Sequence, residues 1–131
     1  MSFSKDLGRF RVRTETAADR IVRGLTIELF AGVVRDTPVD TGRARGNWST
    51  TVGQVPAGAR ERLDQSGGAA IAEVVAETPE KVGNKVYLTN NLPYIMPLEE
   101  GYSKQAPAGM VRRNFLRVRQ ILSIVTARHR V

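Results

Sequence analysis

Between Val86 and Val111 runs an apolar tract that no single helix or strand can span. A strand-like run, Val86-Tyr87-Leu88-Thr89-Asn90, ends in the polar pair Asn90-Asn91, and Pro93, Pro97, Gly101 and Gly109 then interrupt the residues beyond it. Proline removes a backbone donor and glycine relaxes the backbone, so a regular ladder cannot pass through. Yet the segment keeps Leu92, Tyr94, Ile95, Met96, Leu98, Tyr102 and Met110. Burying all of them would leave loop backbone groups without partners. The expected division puts Ile95 and Leu98 inward on a short helical turn and leaves Tyr94, Met96 and Tyr102 partly exposed. Irregular segments that retain large apolar side chains are more often contact surfaces than connectors.

Around this tract the periodicities are regular. Ala18, Ile21, Val22, Leu25, Leu29 and Val33 recur at three- and four-residue spacing, which predicts a helix from about Thr14 to Arg35 ended by Pro38. Phe3, Leu7 and Phe10 suggest a short leading helix interrupted near Gly8. Asn47 to Gly53 has the β-branched and aromatic content of a strand, and Lys85 to Asn90 that of a second. The polar, turn-rich stretch 53–68 is expected to be an exposed loop, followed by a short alanine-rich helix over Ala69–Glu77. Val111, Phe115, Val118, Leu122 and Val125 form the stripe of a final helix from about Ala108 to Ala127. The expected fold is α+β: two long helices, N- and C-terminal, packed on a small, mainly antiparallel sheet, with a short extra helix between the strands.

At 131 residues the chain amounts to a single domain, 1–131. It has no cysteine, which excludes disulfides and thiolate metal sites. No apolar run approaches the roughly 20 residues a bilayer requires, and Met1 to Asp6 lacks the apolar core of a secretory signal, so no membrane partner is expected and synthesis in the cytoplasm is. The net charge of +7 is lopsided. Residues 1–100 hold 13 basic and 13 acidic side chains, whereas 101–131 hold Lys104, Arg112, Arg113, Arg117, Arg119, Arg128, Arg130 and no acid. Such a strip is either a solvated helix face, a surface for acidic protein, or a surface for nucleic-acid phosphates.

The residues that invite a catalytic reading have plainer explanations. Val39-Asp40-Thr41-Gly42 matches the loop of aspartic proteases, but it follows a helix and a proline, and Arg43 stands where that family prefers a small residue. An Asx-turn at Asp40 and a positive φ at Gly42 explain it better. His129 lies too near the end for a triad or metal site. Glu99 and Glu100 are adjacent and point apart, which suits a surface pair with a neighbour's arginine better than acid–base work. No phosphate loop is present. The sequence therefore predicts no catalytic, cofactor or metal residue and no enzyme. Trp48 is expected to anchor the core.

Two blocks carry a resemblance. Thr37-Pro38-Val39-Asp40-Thr41-Gly42-Arg43-Ala44-Arg45-Gly46-Asn47-Trp48, and the tract 85–111 with Asn90-Asn91-Leu92-Pro93-Tyr94-Ile95-Met96-Pro97-Leu98-Glu99-Glu100-Gly101-Tyr102, together resemble the tail-completion or neck proteins of tailed bacteriophages. The resemblance implies a structural virion protein at the head–tail junction, made in the host cytoplasm. Its implied partners are other neck or tail proteins, such as the tail tube, a terminator or a head-side connector. By likeness to that family the chain would form a homo-oligomeric ring, hexameric by analogy with the six-fold tail, while the isolated subunit can stay monomeric. A DNA contact in the channel of such a ring is compatible with the charge.

Interface residues expected on this reading are Tyr94, Met96, Glu99, Glu100, Tyr102, Met110, Arg112 and Arg113, with Pro38, Asp40, Gly42 and Trp48 as structural residues. The alternative is a nucleic-acid-binding module using the arginine-rich C-terminal helix. Aromatic residues do not interleave with those arginines, apart from Phe115, so no stacking platform accompanies the charge.

Overall fold

A computed structural model describes residues 3–101, 103–106 and 108–129, with side chains from Thr16 onward. Its elements are α1 (Phe3–Asp36), a single turn α2 (Arg43–Gly46), β1 (Trp48–Val52), α3 (Gly68–Glu77), β2 (Val86–Asn90), α4 (Ile95–Glu99), α5 (Val111–Leu116) and α6 (Val118–Arg128). The fold is mixed: helices around one antiparallel two-stranded sheet, with Trp48 opposite Asn90 and Val52 opposite Val86.

α1 runs unbroken for 34 residues, a length of roughly 51 Å. The expected interruption at Gly8 does not occur, because one glycine costs a helix only about 1 kcal/mol. The stop at its other end is as the sequence requires: the helix closes at Asp36, two residues before Pro38. Arg45 then reaches back and donates to the carbonyls of Arg35 and Thr37 at 2.8 and 2.9 Å, satisfying acceptors that the helix end leaves open. At Gly42 φ is +89°, and a Cβ there would sit 2.6 Å from Gln65 N. The turn thus needs glycine for both its conformation and its close neighbour. Asp40 does not make the Asx-turn. Among the described residues the local bond is from Arg43 N–H to Thr41 Oγ1, while Asp40 is exposed.

Trp48 joins Val33, Val34, Ala70 and Met110 in the core, with Ile71, Leu88, Ile95, Leu98 and Val111 packed around them. Its Nε1 donates to Thr37 Oγ1 at 2.7 Å, and that hydroxyl donates to Val33 O at 2.7 Å. The indole is therefore fixed in position as well as enclosed. The segment 53–67 is irregular, as expected, yet it is pinned. Asp64 N–H donates to Gly42 O, the buried Asp64 carboxylate accepts Ala70 N–H at 2.8 Å near the start of α3, and Arg62 donates to the Gly46 and Trp48 carbonyls.

The C-terminal region departs most from expectation. Instead of one long helix there are α5 and α6, broken at Arg117. Among the helices α3 packs most extensively on β1, while α1 packs chiefly on α3, α5 and α6 and meets the sheet through Val33 and Val34. At the start of α5, Asn114 ties the helix to the end of α1. Its Nδ2 donates to Met110 O at 2.7 Å and to Asp36 Oδ2 at 2.9 Å, and the backbone bond from Asn114 N to the same carbonyl is stretched to 3.4 Å. A side chain that competes for its own helix carbonyl weakens the ladder there. Asn114, fully buried, takes the inward position that the apolar stripe assigns to Phe115. Gly32 leaves room for the Asn114 amide and Gly24 for Val125, and a Cβ at either position would crowd the side chain packed there.

Candidate functional site

The interrupted tract is neither sealed nor loose. Leu92, Ala106 and Met110 are buried, and Ile95 and Leu98 pack against the core from α4. Tyr94 and Met96 project, at 40% and 59% exposure. That is the division the prolines and apolar spacing suggest. The knuckle is held at both ends. Asn90 donates to Ala44 O at 2.9 Å, and the Gln105 amide pairs with the Val39 backbone in both directions at 2.8 and 3.0 Å. Those bonds tie the tract to the turn around Gly42, and a groove bordered by Asp40, Thr41, Arg43, Tyr94 and Ser103 runs between them.

Three expected interface residues are placed differently. Met110 is fully buried and belongs to the core, because the positive φ of Gly109 (+77°) turns the chain inward before α5. Glu99 pairs within its own chain. Its carboxylate accepts the N–H groups of Met110, Val111 and Arg112 at 3.0, 2.8 and 3.1 Å and Arg112 Nε at 3.0 Å, and Arg112 Nη2 also donates to the Glu99 carbonyl. A helix start with unpartnered N–H groups thus takes the charge expected to meet a neighbour, and the same pairing occupies Arg112. Glu100 stays exposed. Arg113 lies 3.9 Å from Asp36, and Tyr102 falls outside the described residues.

Burial alone would raise the Glu99 carboxyl. Hydrogen bonds from the Val111 and Arg112 backbone, the Arg112 side chain and the Met110 backbone outweigh it and hold the pKa below the ordinary value. Glu73 behaves alike: burial raises it, but Arg60, the Thr50 N–H and the charge of Arg62 bring it down on balance. A depressed folded pKa contributes stability that is complete above the unfolded value, about 4.3, and is lost as pH falls through the folded value. The temperature of thermal unfolding should therefore fall as the pH is lowered below that value. Glu99→Gln should lower stability by about 2 kcal/mol at neutral pH and flatten the acid dependence. An acid profile identical to wild type would refute this role for Glu99.

The basic strip is partly neutralised. Arg112 pairs with Glu99, Arg113 and Arg117 with Asp36, and Arg128 with Glu28. Beside it stand apolar side chains that the sequence assigns to the core or leaves unassigned: Phe115 at 62% and Leu116 at 85% exposure. The only hint in the sequence is Asn114, a polar residue one step from the stripe. Among the described residues no three potential His, Asp or Glu metal ligands gather, and no helix is long and apolar enough to cross a membrane.

Comparison with models of protein families, with curated proteins and with solved structures finds no match to this chain. Function is therefore read from the residues and their geometry.

Proposed function

We propose that this protein is a non-enzymatic component of the head–tail junction of a tailed phage, docking on its neighbours through the knuckle at Tyr94 and Met96. The observation that carries the reading is the knuckle's construction. Two large, adaptable side chains are exposed on a short helical turn whose other face, Ile95 and Leu98, is packed into the core. Aromatic and Met side chains are effective contact groups, and a preorganised backbone support lowers the ordering cost of binding.

The likeness of 37–52 and 85–111 to tail-completion and neck proteins supplies the setting. It is supported by the direct coupling of the two blocks through Gln105–Val39 and Asn90–Ala44. The knuckle and the ridge at Phe115 and Leu116 lie at different places on the subunit, and such a pair of patches favours head-to-tail association, which closes as a ring when the rotation allows. A hexamer remains the expectation drawn from the six-fold tail. With Glu99 occupied, Glu100 is the carboxylate left in this tract to set charge register between subunits. Nucleic-acid binding through the C-terminal helices has less support, since acids of the same chain face most of the described arginines there.

The test is complementation. An extract from cells infected with a phage lacking this gene should hold separate heads and tails, and adding purified protein should produce joined, infectious particles. Infectivity that does not rise on addition contradicts the proposal.

A further inference from the structure

The two-stranded sheet has two outer edges, and only one is closed. Gly53 N–H donates to Lys85 O at 2.8 Å, which fixes the phase of the ladder. With Thr50 opposite Leu88, the main-chain groups of Ser49, Thr51, Tyr87 and Thr89 point between the strands, and those of Trp48, Thr50, Val86 and Leu88 point outward. On the β1 side, side chains take the place of a third strand. Thr50 N–H donates to Glu73 Oε1 at 2.9 Å, and Trp48 O accepts Arg62 Nη2 at 2.8 Å. On the β2 side, no hydrogen bond among the described residues reaches the outward N–H and C=O groups of Val86 and Leu88. No proline or bulge blunts that edge.

The surface beside the open edge is apolar. Val86 and Leu88 share the face of Trp48, and Val86 borders a groove formed with Leu25, Leu29, Phe30 and Val82. A strand added to β2 would turn every second side chain toward this groove. The surrounding charge is basic. Arg20, Arg23 and Lys81 line this region with Asp19 and Glu80, and Lys85 immediately precedes β2, so positive charge is in excess even with the Asp19 carboxylate, which accepts Val82 N–H.

We propose that the outer edge of β2 takes up an extended strand of a partner protein, apolar at alternate positions and flanked by carboxylates. Main-chain pairing with Val86 and Leu88 would supply affinity, the groove would read the alternate side chains, and the basic rim would select the flanks. A second copy of this chain offers a poorer occupant: its own β2 is flanked by Lys85 instead of an acid. The Tyr94–Met96 knuckle is a separate surface, so failure here leaves that reading intact.

The probe is the capped peptide Glu-Val-Thr-Val-Thr-Val-Glu, titrated into the full-length protein while amide shifts and hydrogen exchange are followed by NMR. The amides of Val86 and Leu88 should exchange fast in the free protein and become protected as peptide is added. A Lys-flanked version should bind about threefold more weakly, a difference that salt removes. Val86→Pro deletes an outward N–H and leaves the β1–β2 ladder in place, so it should weaken binding by about tenfold. Thermal unfolding close to wild type would show that this variant folds. Protection of both amides before peptide is added, or no response to it, would overturn the proposal. Protection that grows with protein concentration alone would assign the edge to a second copy and overturn it equally.

Discussion

Truncation of Trp48 to alanine lowers the free energy of unfolding by about 3–5 kcal/mol, a large part of the roughly 5–15 kcal/mol that a domain of this size possesses. The indole fills the centre of a small core between Val33, Val34, Ala70 and Met110, so its removal opens a cavity that the fixed elements around it cannot close. It also strips the buried Thr37 hydroxyl of its donor partner. Trp48→Phe separates the two effects: much of the apolar volume stays, and the hydrogen bond alone costs about 1 kcal/mol. Urea denaturation measures both, with a shifted midpoint and an unchanged slope. A loss below about 1 kcal/mol for the alanine variant would show that Trp48 is not the anchor.

The second large effect is on association. Tyr94→Asp combined with Met96→Asp should leave stability within about 0.5 kcal/mol of wild type, because both side chains project from the surface. If these two residues are the docking anchors, each contributes about 2 kcal/mol or more to binding, and the pair weakens it by about a thousandfold. Unfolding measured beside assembly distinguishes this outcome from misfolding. A core variant such as Trp48→Ala lowers both, whereas the double variant lowers only assembly.

Local chemistry made part of this molecule legible in its sequence. The stripe reaching Val33, the stop at Pro38, the positive φ at Gly42 and the two strands each depend on neighbours within a few residues. The split of Ile95 and Leu98 from Tyr94 and Met96 was readable for the same reason, since prolines confine that segment to one short turn. The errors come from pairings distant in sequence. Glu99 looks free until Gly109 brings the start of α5 onto it, and the same turn buries Met110. Phe115 looks like a core residue until Asn114 finds Asp36, 78 positions away, and takes its place. The pinning of 53–67 by Glu73 and Gly42 has no periodic signal at all.

The most direct measurement is electron microscopy of lysates in which the only copy of the gene encodes Tyr94→Asp with Met96→Asp. Separate full heads and separate tails, beside joined particles from the wild-type gene, are the predicted result. Joined, infectious particles from the double variant at wild-type yield would contradict the docking role of the knuckle.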